Sequence, residues 1–127
     1  GGLVAITAEP LMPSPLAAIL IGAVGGVIVV YGTKFLLSMK VDDVVGAIPA
    51  HLFAGIWGTL AVPITNSDTS FGTQLLGVIS INAFVFIVSF IIWALMKNTF
   101  GIRLSKEGEL KGTDVTETGV IAYAIRD

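Results

Sequence analysis

Apolar residues fill three long stretches of this chain, and the formal charges mark where those stretches stop. No Asp, Glu, Lys or Arg occurs between Glu9 and Lys34, between Asp43 and Asp68, or between Asp68 and Lys97. Each stretch approaches the ~20 apolar residues that a helix needs to cross a hydrocarbon core of ~30 Å. The pattern predicts three membrane spans, over residues 16–37, 44–62 and 75–96. Pro13 and Pro15 suit the start of the first, because proline lacks the N–H that a first helical turn leaves unpaired. Trp93 followed by Lys97 gives the third an interfacial anchor. Ahead of the three, the opening GGLVAIT reads as the end of another apolar span. No basic n-region or small-residue cleavage site marks it as a signal peptide. The expectation is therefore the C-terminal piece of a larger membrane protein.

From Gly101 onward the pattern changes. The segment is polar and charged, carries Gly108, Gly112 and Gly119, and holds neither a 3.6-residue nor a 2-residue period. It is expected to be a mostly irregular cytoplasmic tail, so the chain divides into transmembrane helices over 1–100 and a tail over 101–127.

Composition sharpens this reading. Of the 127 residues 54% are hydrophobic and only 13% charged, about half the charge of an average soluble domain. This excludes a disordered tail and argues against a soluble globular domain. The net charge of −2 offers no basic stripe for nucleic acid. With no cysteine, disulfides, thiol nucleophiles and Cys-ligated metals are excluded too. The seven basic residues are Lys34, Lys40, Lys97, Arg103, Lys106, Lys111 and Arg126, and a three-span topology puts all of them on one side. The positive-inside rule makes that side cytoplasmic and implies an integral protein of the cell (inner or plasma) membrane with its C-terminus inside.

His51, the sole histidine, lies within the second predicted span. An ionisable group at membrane depth is costly and by default marks a pathway. An imidazole both donates and accepts hydrogen bonds, so it can receive a small polar solute that has left bulk water. At spacing four its row reads Ala47, His51, Gly55, Thr59, which puts small residues one turn to either side. A parallel row, Gly46, Ala50, Ala54, Gly58, and the Gly22/Gly26 pair of the first span suit close helix packing. Pro49 is expected to bend the helix just before His51. Asp42 and Asp43 are expected to cap this span or to contact a cytoplasmic vestibule. Asn82, Ser80 and Ser89 of the third span are expected to form interhelical hydrogen bonds. One histidine with no acid on its face builds no metal site, and no cofactor motif or catalytic template is present. The chain is not expected to be an enzyme.

The block Asp42-Asp43, Val45-Gly46-Ala47-Ile48, His51 and Gly55-Ile56-Trp57-Gly58-Thr59-Leu60 resembles the late pore span of the ammonium transporter (Amt/Mep) family. GLVAIT at 2–7 is similar to the end of that family's eighth span. Gly101-Ile102-Arg103, Gly112 to Asp114 and Ala122-Tyr123 are similar to its cytoplasmic C-terminal region. The resemblance runs through nearly the whole chain. It implies an all-α membrane protein, part of an eleven-helix inverted-repeat transporter, with its pore at the interface of the repeats.

It further implies ammonium or ammonia as substrate and a hydrophobic pore lined by paired histidines, of which His51 is the second. Ala47 and Gly55 would lie beside it. A homotrimer is implied, as is a regulatory tail (Gly101, Arg103, Gly112, Asp114, Tyr123) open to a PII signalling protein. Leu52 and Val44 stand where the family often has glycine and proline, and Thr118-Gly119-Val120 replaces a frequent His-Gly-acidic stretch. The alternative is a membrane-embedded ammonium sensor signalling through its tail, against which a tail of about 27 residues is too short for an effector domain.

Overall fold

The computed structural model describes residues 1–122, so Tyr123 and Arg126 lie outside the described residues. The chain separates into two compact units, one of Gly1–Phe84 and one beginning at Val85. Every regular element among the described residues is helical.

In the first unit α1 (Gly2–Thr7) is a short stub. It leads through the Pro10 and Pro13 turn into α2 (Pro15–Ser38). Ser14 caps α2 by accepting the Ala17 N–H at 3.3 Å, and Pro15 occupies the first turn as its missing donor allows. The far end of α2 is closed by two bonds, Lys40 N–H to the Leu37 carbonyl and Val41 N–H to the Leu36 carbonyl, each at 3.0 Å. This is a Schellman closure, which requires a residue in the left-handed region. Lys40 supplies it at φ 58°, where glycine is the usual choice.

The second membrane helix starts later than the hydropathy suggests. Its first turn, Ile48–Phe53, is a π-helix, and it continues as α3 (Ala54–Thr65). The segment before it is not helical, because the Asp43 carboxylate folds forward to accept the N–H groups of Ala47 and Ile48, each at 2.8 Å. The predicted start at residue 44 is therefore moved to Ile48. Pro49 falls in the first turn instead of the interior, so the expected bend before His51 does not arise from it.

A short connection over residues 66–70 leads to α4 (Phe71–Thr99), which contains no buried residue. Pro15–Ser38, Ile48–Thr65 and Phe71–Thr99 are each long and apolar enough to cross a membrane.

The packed centre is made of small residues. Ala5, Ile21 and Ala61 are buried together, with Ile6 and Trp57 against them. A methyl group on Gly25 would lie 2.6 Å from the Ala5 Cβ, and one on Gly58 would overlap the Ala5 backbone. One on Gly32 would meet Pro49 and Phe53 at under 3.0 Å. Gly26, expected to pack through its pairing with Gly22, has nothing within 4 Å of that position. The close approach uses Gly25, because α1 crosses α2 there. At one end the Asn66 amide donates to Glu9 at 2.9 Å and ties the end of α3 to the exit of α1.

In the second unit the tail is more regular than expected. A one-turn helix, α5 (Lys106–Lys111), is capped by the Ser105 hydroxyl on the Gly108 N–H at 3.1 Å. A π turn over Asp114–Thr118 follows and stops at Gly119, φ 70°. The absence of hydrophobic periodicity concealed this order, since capping and tight turns hold it.

Candidate functional site

His51 sits in the π turn at the head of α3, a geometry frequent at functional sites. Its imidazole is exposed and borders an open cleft of about 240 Å³. From its own helix the cavity is lined by His51, Leu52, Gly55, Ile56 and Thr59. From α4 it is lined by Gln74, Gly77, Val78, Ile81 and Asn82. Both sets recur at spacings of three and four, so each is one helical face. No side chain projects at Gly55 or Gly77, and a methyl group on Gly77 would touch nothing within 4 Å. The cavity is thus an apolar slot with four polar side chains on its wall, the usual composition of a small-solute site.

Of the residues expected beside the imidazole, Gly55 and Thr59 line the cavity and Ala47 does not. Ala47 is exposed at the N-cap of the π turn, one turn ahead of the cleft. Leu52 also joins the wall. Asp43 is occupied by its two backbone N–H groups, and Asp42 is exposed with no side-chain hydrogen bond among the described residues. Among the described residues Asn82 makes no interhelical hydrogen bond. Its Nδ2 donates to the Val78 carbonyl of its own helix at 2.8 Å. Among the described residues no group of three His, Cys, Asp or Glu side chains is gathered in a way that would hold a metal ion.

The tail residues form a separate arrangement. Gly101 and Gly112 adopt φ 73° and 99°, which favour glycine. Arg103 pairs with Glu109 through two N–H groups, the second at 3.3 Å. The hydrogen bond and charge of Glu109 raise the guanidinium pKa, and the Arg103 hydrogen bond lowers that of the Glu109 carboxyl. Asp114 accepts the Ala122 N–H at 2.8 Å, and that bond, followed by one from Val115, holds its carboxyl below the ordinary aspartate range. Tyr123, the last expected tail residue, lies outside the described residues.

Residues 1–123 match the family model described as Ammonium Transporter Family. The chain belongs to the ammonium transporter family. It is 36% identical to ammonium transporter Amt2 of Archaeoglobus fulgidus, over 96% of this chain and 30% of that protein. It is 40% identical to a putative ammonium transporter of Synechocystis, over 94% of this chain and 27% of the relative. For the ammonium transporter of Bacillus subtilis the identity is 33%, covering 96% and 34% respectively. The chain thus spans about three tenths of the length of the curated relatives it matches. Membership in the ammonium transporter family, with three apolar helices of spanning length, makes this an integral membrane protein.

Of the polar wall residues on α4, Gln74 was not singled out from the sequence, and Asn82 was expected only to bond a neighbouring helix. They lie eight residues apart with Val78 between them, a polar, small, polar row on one face of an otherwise apolar helix. That row was the available signal, because polar side chains in a span turn away from lipid.

Proposed function

We propose that this chain forms part of a pathway that carries ammonium or ammonia across the cell membrane, with His51 as the side chain that receives the solute. The observation that carries the reading is an exposed imidazole in the first turn of a span-length apolar helix, bordering an open, mostly apolar cleft of about 240 Å³, in a chain that matches an ammonium transporter model throughout residues 1–123. A solute leaving water loses hydrogen bonds, and an imidazole replaces them by donating or accepting. In this reading His51 is the second of two paired pore histidines, and Gly55 keeps the slot open. Transport is favoured over catalysis because the relatives are named transporters.

The basic residues Lys34, Lys40, Lys97, Arg103, Lys106 and Lys111 support a cytoplasmic C-terminus. The ordered turns around Arg103 and Asp114 support a tail able to present one surface to a regulator, of which a PII protein is the candidate. Assembly as a homotrimer belongs to the same proposal.

The test uses the protein as its gene encodes it, purified and reconstituted into liposomes. Ammonium-driven current or methylammonium uptake is expected from the wild type, and its strong loss, or loss of selectivity against K+, from His51→Ala. Equal flux and selectivity in His51→Ala, with normal expression, would remove His51 from the pathway.

A further inference from the structure

The two sides of α2 differ in the size of their residues. Ile21, Gly25, Gly32 and Leu36 recur at spacings of four, seven and four and are the buried residues of the helix. Gly25 meets Ala5 there, and Gly32 meets Pro49 and Phe53. On the opposite side Leu16, Leu20, Val27, Tyr31 and Lys34 recur at spacings of four, seven, four and three, and all five are exposed. Helices that meet inside a membrane do so through small residues, and α2 places Gly25 and Gly32 on its packed side. The bulky apolar side has the composition of a surface turned to lipid.

Near Ser38 that side stops being purely apolar. α2 has 24 residues, about 36 Å at 1.5 Å per residue, against a hydrocarbon core of ~30 Å. Lys34 lies one turn before the end at Ser38 and therefore falls near the boundary where hydrocarbon gives way to headgroups. Its ammonium sits 5.7 Å from the centre of the Tyr31 ring, a cation–π distance. The neighbouring hydroxyls are committed to their own helix. Thr33 donates to the Val29 carbonyl at 2.8 Å, and Ser38 to the Phe35 carbonyl at 2.7 Å. Neither the Tyr31 hydroxyl nor the Lys34 ammonium has a hydrogen-bond or ion-pair partner among the described residues. Asp43, just beyond the helix, is held by the Ala47 and Ile48 N–H groups. The positive charge is backed by a ring face and faces no protein anion.

We propose that Tyr31 and Lys34 form a seat for an anionic phospholipid. Its phosphate accepts from the Lys34 ammonium and the Tyr31 hydroxyl, and its acyl chains lie along Val27 and Leu20. A cation that faces lipid at this depth finds its counter-charge in a headgroup. A tyrosine, apolar in body and polar at its tip, suits the same boundary. The seat rests on α2 spanning the membrane and is independent of what His51 does.

The experiment titrates the protein as its gene encodes it, purified in detergent, with phosphatidylglycerol or phosphatidylcholine, and counts bound lipid by native mass spectrometry. Wild type is expected to bind phosphatidylglycerol more tightly than phosphatidylcholine. Lys34→Gln is expected to weaken phosphatidylglycerol binding about fivefold, the effect of one basic residue at the membrane surface, and to leave phosphatidylcholine binding unchanged. Tyr31→Leu is expected to weaken it about two- to fivefold by removing the ring, and Lys34→Arg to retain it. Lys106→Gln removes the same charge from the tail and is expected to change nothing. Elution as a monodisperse species verifies that each variant is folded. Equal weakening by Lys34→Gln and Lys106→Gln would overturn the seat in favour of diffuse attraction between charges. Folded Lys34→Gln with wild-type binding of phosphatidylglycerol would overturn it as well. A wild type without lipid preference, beside an altered subunit stoichiometry in Lys34→Gln, would overturn it and give this side of α2 to another protein helix.

Discussion

The indole N–H of Trp57 donates to the main-chain carbonyl of Ile21 across 3.0 Å, joining α3 to α2 beside the small-residue contact of α1. An aromatic side chain at this depth needs a partner for its one donor, and the carbonyl supplies it. Trp57→Phe is expected to destabilise the protein by about 1 kcal/mol, the usual worth of one intramolecular hydrogen bond. Thermal unfolding in detergent measures it, with a His51-dependent transport assay expected to stay active.

Gly58 lets the Ala5 backbone approach α3, whereas Gly26 faces open space. Gly58→Ala is expected to cost about 1–3 kcal/mol through overpacking, and Gly26→Ala is expected to be neutral or mildly stabilising. Paired melting curves separate the two. Equal effects would mean that the α1 contact is not part of the folded core.

Much of the architecture was readable from charge spacing, since a helix that crosses lipid leaves a long uncharged run whatever its detailed packing. What hydropathy did not see was capping. Val44 and Val45 are as apolar as the helix after them, yet they lie outside it because Asp43 reaches past them to the Ala47 and Ile48 N–H groups. The glycine pattern was similarly ambiguous. Gly22/Gly26 has the familiar spacing, but the partner that selects Gly25 is Ala5 of a preceding segment, and nothing in the local sequence names it. His51 stood out as a lone ionisable group in an apolar run. Asn82 did not, because a polar residue in a span reads equally as packing or as lining until its neighbours across the helix are known.

Asp43→Ala is expected to cost about 1 kcal/mol by leaving two N–H groups at the head of the second membrane helix unpaired. Asp42→Ala is expected to leave the unfolding temperature unchanged, since that carboxylate is exposed and makes no cap. Reversal of the two outcomes would assign the cap to the wrong aspartate.

Lys40 closes α2 at φ 58°, a conformation that costs a side-chain-bearing residue more than glycine. Lys40→Gly is expected to stabilise the folded state by up to about 1 kcal/mol. It also removes one positive charge from the face expected to be cytoplasmic, so a topology reporter after the C-terminus would show whether the remaining basic residues hold the orientation.

The tail carries an acid-sensitive turn. Hydrogen bonds depress the Asp114 carboxyl, and the Arg103 pair depresses that of Glu109. A depressed carboxylate stabilises the fold fully above its unfolded value, near 4, and that contribution is lost as pH falls through the lower folded value. The Ala122 amide resonance is therefore expected to stay constant at neutral pH and to move only below about pH 4. Asp114→Asn should shift that resonance already at pH 7.

The π turn at Ile48–Phe53 amounts to an insertion of one residue that the helix has absorbed without a loop. One extra residue in a turn offsets everything before it by about 100° relative to everything after it. The helix phase that aims His51, Gly55 and Thr59 at one slot is thereby uncoupled from the phase of the Asp43 cap. Loss of a residue ahead of His51 has somewhere to go, because the π turn tightens to an α turn. Loss of a residue just after Phe53 has no such outlet and would swing Gly55 and Thr59 away from the imidazole.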